Sequence, residues 1–303
     1  MRLATITEKD EAVCAAVLSD GRMLDIARAA NGDSRLRPAT LEDLILGGPD
    51  LLDALRAVVT AAENGEHEGA MAPPSARLNS PIPRPHKNVF CVGRNYAEHI
   101  AEGERAQNTT IGVTDYPVFF TKPPTSIVAP DGDVLVFEAV SQATDYEVEL
   151  AVVIGTPGRN IKPEDAYRHI FGYTILNDIT ARDVQRRHGG QYFKGKGLDG
   201  SCPIGPWIVT ADEIGDPHAL KIGLTVNGEQ RQDGSTSDMI FDIPTLIASL
   251  SEGMTLEPGD IIATGTPSGV GYAMEPPQFL KNGDVVVCEI SGIGTLSNTV
   301  RAV

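Results

Sequence analysis

Short apolar runs separated by turn-forming residues dominate this chain and predict many short strands. In the amino-terminal part, these predicted strands are residues 2–7, 12–18 and 22–26, with Asp20-Gly21 as the turn between the last two. A helical pattern follows from Asp50 to about Ala62, with leucines and a valine on one face. The polar, proline-rich segment from Glu63 to Pro85 then predicts a connector, so we place a domain boundary near residue 80.

The remainder of the chain, residues 81–303, is also predicted to consist mainly of short strands. Its predicted strands are 88–92, 117–120, 171–176, 203–209, 224–232 as a hairpin around Asn227-Gly228, 261–263, 285–290 and 294–300. A short helix is predicted over 243–250, and helices are otherwise few. The pattern therefore favours a β-rich α+β protein with mixed or antiparallel sheets over a doubly wound parallel sheet.

The stretch Asp145 to Leu150 (DYEVEL) places three acids on one face of an extended segment, because side chains alternate along a strand. Tyr146, Val148 and Leu150 share the other face, and residues 151–154 continue the apolar run. Acids on a core strand repel one another unless a cation compensates them, so Glu147 and Glu149 suggest metal ligands. The alternative is a solvent-facing edge strand with polar residues turned outward.

A second acid, Asp178, follows the predicted strand 171–176 at the point where a helix begins. Thr180 and Asp183 resemble a capping box, which gives Asp183 a structural role and leaves Asp178 free to bind. Three carboxylates without Cys or His form an all-oxygen site that suits Mg²⁺ or Mn²⁺. About three octahedral positions would stay open for water or a chelating substrate.

His99 and Glu102 lie three residues apart on a predicted helical turn, hence on one side of it. A carboxylate beside an imidazole raises its basicity, so the pair is a candidate general base. Spacing alone, however, favours an ordinary surface ion pair on the helix. The following polar residues 103–116 predict a mobile flap over the site.

Basic side chains near these acids are candidates for binding an anion. Lys122 follows the predicted strand 117–120 and is either a solvated loop lysine or an anion contact. Lys194 and Lys196 lie in a glycine-rich loop, which allows close approach of an anionic ligand; a flexible loop with solvated lysines is the alternative.

Composition narrows the class of protein. The 303 residues carry 25 basic and 41 acidic side chains, a net charge of -16, which makes nucleic acid and anionic membranes unexpected partners. No long apolar run or signal-peptide pattern is present, so we expect a cytoplasmic protein. Four widely spaced cysteines argue against a zinc knuckle or a disulfide framework and are expected to be core residues.

Six motifs together resemble the fumarylacetoacetate hydrolase family. They are VGRNYAEH (92–99), DYEVELAVVIG (145–155), NDITARDVQ (177–185), KGLDGSCPIGPW (196–207), NGEQRQ (227–232) and GDIIATGTPSGVG (259–271). The resemblance runs from Asn88 to the end, and residues 1–80 are similar to the small amino-terminal α/β segment of some bacterial members. It implies a mixed β-sandwich or β-roll fold, a homodimer, and Mg²⁺ or Mn²⁺ held by Glu147, Glu149 and Asp178.

The same resemblance implies roles for the other candidates. His99 and Glu102 would form the water-activating pair, and Lys196 would face the substrate. The implied substrate contacts are Lys122, Arg182, Gln185 and Thr266. Family members without the His-Glu pair are often isomerases, so its presence favours hydrolysis or decarboxylation.

The function predicted from these observations is metal-dependent hydrolysis of a carbon-carbon bond in a 2,4-dioxo acid through an enolate. Oxaloacetate decarboxylase and 2-hydroxyhepta-2,4-diene-1,7-dioate isomerase are the alternatives, because each reaction passes through a similar enolate and pocket shape selects the substrate. A non-catalytic dimeric binding protein is the alternative from another class.

Overall fold

We describe the protein from a computed structural model, which covers residues 1–30, 32–110 and 112–303. The helices are α1 Ile26–Ala29, α2 Leu41–Leu46, α3 Gly48–Glu63, α4 Ala97–Gln107, α5 Arg182–Arg187, α6 Phe193–Lys196 and α7 Ile243–Ser251. None of the helices in these ranges is long and apolar enough to cross a membrane.

Strands make up most of the remaining regular structure. The first ten are β1 Arg2–Glu8, β2 Glu11–Val17, β3 Met23–Asp25, β4 Arg77–Leu78, β5 Val89–Gly93, β6 Val118–Lys122, β7 Ile127–Val128, β8 Asp133–Val136, β9 Thr144–Asp145 and β10 Val148–Ile154. The others are β11 Gly158–Arg159, β12 Ile170–Asn177, β13 Thr180–Ala181, β14 Cys202–Thr210, β15 Lys221–Val226, β16 Glu229–Ser235, β17 Thr255–Leu256, β18 Ile261–Ala263, β19 Val285–Ile290 and β20 Gly294–Ala302. The β-rich α+β class is confirmed.

Two sheets form the body of the protein. The larger has the order β3-β2-β1-β14-β12-β10-β18-β5-β6, and the smaller has the order β16-β15-β19-β20-β8. Most neighbours are antiparallel, but β18 pairs with β5 and β20 with β8 in parallel. One hydrophobic core joins side chains of both sheets, including Leu150 of β10 and Leu224 of β15. The two sheets therefore pack face to face.

The predicted run over residues 145–154 divides into two pieces. β9 ends at Asp145, Glu147 lies between the strands, and β10 starts at Val148. Tyr146, Val148 and Leu150 share one core, as their alternation predicts. Residues of the opposite face contact a second core, which leaves β10 buried on both sides.

The amino-terminal segment joins the larger sheet. Residues Arg2 and Leu3 of β1 pair with Val209 and Ile208 of β14. The predicted connector contains β4, which also pairs with β1. The second core draws on both parts of the chain, with Leu3 and Ile204 among its members. A boundary near residue 80 stays a prediction about independent folding, since the sheet itself is continuous across it.

Candidate active site

The predicted metal ligands Glu147, Glu149 and Asp178 converge in the structure. Each offers a carboxylate oxygen, and these oxygens lie within 4.8 Å of one another. All three side chains are buried, Asp178 completely. An outward-facing edge strand is excluded for Glu149, because every residue of β10 is buried.

The pairing of β10 with β12 brings these acids together. Val148 lies opposite Asn177 in the antiparallel register. One residue further on, the backbone N–H of Asp178 donates to the carbonyl of Glu147 over 2.8 Å. The Asn177 side chain accepts a hydrogen bond from the Glu147 backbone at 3.0 Å. The register of two core strands therefore fixes the spacing of the acids.

Two cations that line the cavity are paired with this cluster. The Lys196 ammonium contacts Glu147 and lies 2.7 Å from Asp178 Oδ2. Arg182 Nε donates to Asp145 Oδ2 at 2.9 Å, while its Nη2 lies 2.7 Å from Glu147 Oε1 but off the hydrogen-bond direction, so that contact is ionic. Burial opposes ionisation of Glu147, but Lys196 and Arg182 hold its pKa well below the usual range. Lys196 is buried too, and its acidic neighbours raise its pKa above the ordinary value.

Lys122 lies behind the acids. It is fully buried, and its ammonium donates to Asp178 Oδ1 at 2.8 Å, to the Ile179 carbonyl at 3.0 Å and to the Lys196 carbonyl. A solvated loop lysine is excluded by this burial. Three protein oxygens occupy the ammonium, so the geometry favours positioning of Asp178 over the substrate contact expected for Lys122.

The remaining acid, Glu149, indicates that the three carboxylates suit a metal ion. Its carboxylate accepts a hydrogen bond from the Gly265 backbone at 2.8 Å, and no cationic side chain in the described ranges forms an ion pair with it. Burial, and then repulsion by Asp178 and Glu147, raises the pKa of Glu149 well above its usual value. A divalent cation would relieve this repulsion, and carboxylate oxygens are the donors that Mg²⁺ and Mn²⁺ prefer.

His99 and Glu102 lie on α4 and face the acids. His99 Nδ1 is 2.8 Å from Glu102 Oε1, and the other Glu102 oxygen accepts the Gly269 backbone N–H at 2.8 Å. His99 Nε2 points towards Glu147 Oε1, 4.0 Å away. Both side chains are largely buried, which excludes the solvated surface ion pair that spacing alone allowed. Glu102 holds the ring so that Nε2 is the nitrogen turned to the site.

His99, Glu147 and Glu149 line a cavity of about 240 Å³, together with Arg182 and Lys196. Gln185 and Thr266, both predicted substrate contacts, also line it. Thr266 is tied to the site by its hydroxyl, which donates to the Val148 carbonyl at 2.8 Å. Lys194 is exposed and lies outside the cavity lining, so it is solvated as the alternative predicts, but it belongs to the short helix α6 and not to the predicted loop.

The structure adds residues that sequence reasoning missed. Gln232 of β16 is fully buried, accepts a hydrogen bond from the Val148 backbone at 3.0 Å and donates to Thr266 at 2.8 Å. Tyr272 lines the cavity and stacks on Arg182, whose guanidinium carbon lies 4.4 Å from the ring centroid. Gln232 belongs to the motif NGEQRQ, which was the available signal; a lone tyrosine after a glycine-rich loop gave none.

Two details of the predicted strand-to-helix junction are wrong. Thr180 belongs to β13 and donates to the Asp178 carbonyl, so it caps no helix. Asp183 instead accepts hydrogen bonds from Ser141 at 2.6 Å and from the Gln142 backbone at 3.2 Å. The capping box fails because the chain stays extended through Ala181, and α5 starts without a side-chain cap. Asp183 therefore fastens a neighbouring loop to α5.

Comparison with known proteins places this site in a family. The model of the fumarylacetoacetate (FAA) hydrolase C-terminal domain matches residues 88–301. The chain belongs to the fumarylacetoacetate hydrolase family. It is 46% identical over 289 residues to the oxaloacetate tautomerase YisK of Bacillus subtilis (strain 168), covering 94% of each chain. The resemblance predicted from the six motifs is thus confirmed.

Solved structures of the family share the whole fold. The fumarylacetoacetate hydrolase of the psychrophilic Exiguobacterium antarcticum superposes with a TM-score of 0.82 at 40% identity, covering 100% of both chains. The 5-carboxymethyl-2-hydroxymuconate delta-isomerase of Mycobacterium smegmatis does so with a TM-score of 0.76 at 34% identity, again covering 100% of both. Members of this family that resemble the chain therefore carry names for tautomerisation, hydrolysis and isomerisation.

Proposed function

We propose that this enzyme interconverts the enol and keto forms of oxaloacetate, or of a closely related 2-oxo diacid, with a divalent metal ion. The observation that carries the proposal is the geometry of His99, whose Nε2 faces the buried acids at 4.0 Å from Glu147. The likeness to an oxaloacetate tautomerase over nearly the full chain supports it. This reading replaces acylpyruvate hydrolysis as the first candidate, since a relative that is 46% identical to the chain is named an oxaloacetate tautomerase.

The chain's own residues would perform the proton transfer. Glu147, Glu149 and Asp178 would hold Mg²⁺ or Mn²⁺, which supplies Lewis-acid polarisation of the 2-oxo group. His99 Nε2 would remove a proton from C3 of the keto acid; the C–H electron pair would form the C2–C3 double bond, and the π pair of the C2–O double bond would move onto the oxygen. Lys196, paired with two carboxylates and therefore cationic, would stabilise the negative oxygen. A proton from water on that oxygen completes the enol, and the His99 imidazolium returns its proton to water.

Glu102 is a positioning residue in this scheme. Its contact with His99 Nδ1 fixes the ring and stabilises the imidazolium that forms when Nε2 accepts a proton. The Gly269 backbone in turn holds Glu102. Gln185 and Thr266 line the cavity and remain predicted substrate contacts.

The test is to follow the loss of enol absorbance after oxaloacetate enol is added to the protein, with and without a chelator. Wild-type protein with Mg²⁺ or Mn²⁺ is expected to accelerate the conversion, and the chelator to abolish the effect. His99→Gln should lower the rate roughly 100-fold or more, the usual contribution of a general base. His86→Gln, which removes an exposed histidine, is the matched control. Full activity of His99→Gln would contradict the assigned base.

Hydrolysis of a 2,4-dioxo acid is the second candidate. The His99–Glu102 pair can equally deprotonate a water molecule, and a hydrolase structure is 40% identical to this chain. Pyruvate release from an acylpyruvate, compared with release from oxaloacetate, separates hydrolysis from decarboxylation. Turnover of the acylpyruvate that exceeds enol conversion would place hydrolysis first.

A homodimer also remains a prediction. Light scattering should give a mass of about twice the 32.2 kDa of one chain. A mass of one chain at working concentration would contradict it.

A further inference from the structure

Two arginines line the catalytic cavity without a carboxylate partner. Arg94 lies between β5 and α4, and Arg186 lies on α5. Among the residues that the structure describes, neither forms an ion pair, whereas Arg182 and Lys196 at the base of the cavity are both bound to acids. Two guanidinium groups thus remain available to a ligand.

The backbone at Arg94 gives a second, independent observation. Its φ is 61°, in the left-handed region that favours glycine over any residue with a side chain. The next residue, Asn95, is completely buried and fixes this turn: its amide donates to the carbonyls of Phe241 at 3.0 Å and Thr264 at 2.8 Å. Glycine would satisfy the same turn without strain, so the arginine side chain needs another reason.

Burial divides the cavity into a floor and a rim. Glu149 and Lys196, on the floor, are 1% and 3% exposed. Arg94 is half-buried and Arg186 is exposed, so both belong to the rim. Arg186 lies over the Tyr272 ring at 5.5 Å, and the other guanidinium on that ring, Arg182, reaches down to the floor. A ligand whose oxo-acid end lies among the floor residues would therefore present its far end to two unpaired cations.

We propose that Arg94 and Arg186 bind the second carboxylate of a 2-oxo dicarboxylic acid and so select diacids over 2-oxo monoacids. This inference rests on the proposed function, which places the oxo-acid end on the floor. A guanidinium presents parallel donors that match a carboxylate, and two of them neutralise its charge where the rest of the surface is acidic. The cavity of about 240 Å³ lies just below the ~300–1,000 Å³ typical of larger ligands, which suits a small diacid.

The test compares a diacid with a monoacid. Deuterium uptake at C3 is measured by NMR for oxaloacetate and for 2-oxobutanoate, in wild-type protein and in the variants Arg94→Gly, Arg186→Gln and the double variant. Arg187→Gln is the control, because Arg187 is an exposed neighbour with the same charge outside the cavity lining.

Wild-type protein should prefer oxaloacetate. Each single variant should lower kcat/KM for oxaloacetate roughly 10- to 100-fold, mainly through KM, as expected for a lost charge-assisted hydrogen bond. The ratio of oxaloacetate to 2-oxobutanoate activity should fall by a similar factor and stay unchanged in Arg187→Gln. Arg94→Gly should unfold at the same urea concentration as wild type or higher, because the left-handed turn is then unstrained.

Each outcome decides a different claim. If wild-type protein acts on oxaloacetate but the variants keep its preference for the diacid, the inference is overturned and the tautomerase stands. If wild-type protein shows no preference, the inference also falls. If wild-type protein acts on neither acid, the proposed function itself is wrong. A loss of stability in Arg94→Gly would show that the Arg94 side chain serves the fold. The preference of Arg186→Gln for the diacid then decides whether the rim binds the second carboxylate: a lowered preference supports the inference, and an unchanged preference overturns it.

Discussion

Lys122 shows how much the site depends on a residue that does not line the cavity. Its ammonium is completely buried and satisfies Asp178 together with two backbone carbonyls. Removing one partner of such a cluster leaves an uncompensated buried charge. Removing both partners therefore lowers the free energy of unfolding by less than the two single changes added together. Lys122 therefore links the stability of the fold to the position of a metal ligand.

We expect Lys122→Met to lower the free energy of unfolding by about 3–5 kcal/mol, measured by urea denaturation. Lys122→Met combined with Asp178→Asn should cost less than the sum of the two single changes, because both act on one charge pair. Lys194→Met, at an exposed lysine of the same region, should stay within about 0.5 kcal/mol of wild type. A loss below about 1 kcal/mol for Lys122→Met would argue against this linkage.

Asp183 offers a prediction about pH. Burial opposes its ionisation, but hydrogen bonds from Ser141, Gln142 and Val184 lower its pKa below the ordinary 3.8. Since the folded protein binds the proton more weakly than the unfolded chain, this stabilisation is complete above the ordinary pKa and is lost as pH falls through the lower, folded value.

Asp183→Asn should therefore destabilise the protein by about 1–2 kcal/mol at pH 7, the contribution of charge-assisted hydrogen bonds. The difference from wild type should shrink as the urea titration is repeated at pH values below the ordinary pKa of the carboxyl group, towards the lower value of the folded protein. Asp199→Asn, at an exposed loop position, is the control. A difference that grows on acidification would have the wrong sign for this account.

At the level of elements, helix α4 must stay close to the loop that carries Tyr272. A side-chain carbon added at Gly103 would lie 2.5 Å from the Tyr272 hydroxyl. That ring cannot simply turn away, because it stacks on Arg182. The contact fixes the distance from His99, on the same helix, to the acids of the floor.

Gly103→Ala is expected to lower the tautomerisation rate roughly 10-fold or more by moving the helix, since small displacements of catalytic groups are costly. Stability should change little, because alanine favours a helix by about 1 kcal/mol over glycine and offsets the crowding. Adding Tyr272→Phe should restore part of the rate by removing the hydroxyl, and Tyr272→Phe alone serves as the control. Absence of any rescue would indicate that Gly103→Ala acts elsewhere.

The predicted flap, residues 103–116, is only partly a loop. α4 extends to Gln107, so the helical part of that range also carries the contact with Tyr272. Residues 108–110 and 112–116 have no helix or strand, and Ile111 lies outside the described residues. Closure over the site stays a prediction. Amide exchange in this segment should slow on addition of metal ion and oxalate if it is correct.

For the whole molecule, local patterns predicted more of the fold than of the contacts between elements. The alternation around Glu147 and Glu149 is local to a few consecutive residues, so it could be read from the sequence even though Glu147 precedes the strand β10. Lys122 could not, because its burial depends on α6 covering the end of β6. Gln232 comes from the smaller sheet and binds the backbone of β10 in the larger one. Such contacts between sheets produce no periodic pattern in the sequence, and only the family motif pointed to Gln232.

The continuous sheet also decides how the molecule should unfold. The terminal amino group at Met1 donates to Thr210 at 2.7 Å and lies 2.8 Å from Glu213, so the amino-terminal segment is fastened at the end of β14. The only tryptophan, Trp207, lies on that strand beneath Arg2, whose guanidinium carbon is 5.6 Å from the ring centroid. Trp207 fluorescence therefore reports on the junction between the two parts of the chain.

We expect fluorescence and far-ultraviolet circular dichroism to give one urea transition with the same midpoint, because a shared sheet and core cannot separate without breaking both parts. Arg2→Gln should shift both midpoints equally and by little, since Arg2 and Trp207 are only half-buried and a cation–π contact that stays accessible to solvent contributes about 0.5–1 kcal/mol. A fluorescence transition that precedes the loss of circular dichroism would instead mean that residues 1–80 detach first. The amino-terminal segment would then be a separate folding unit, with its boundary at the polar connector.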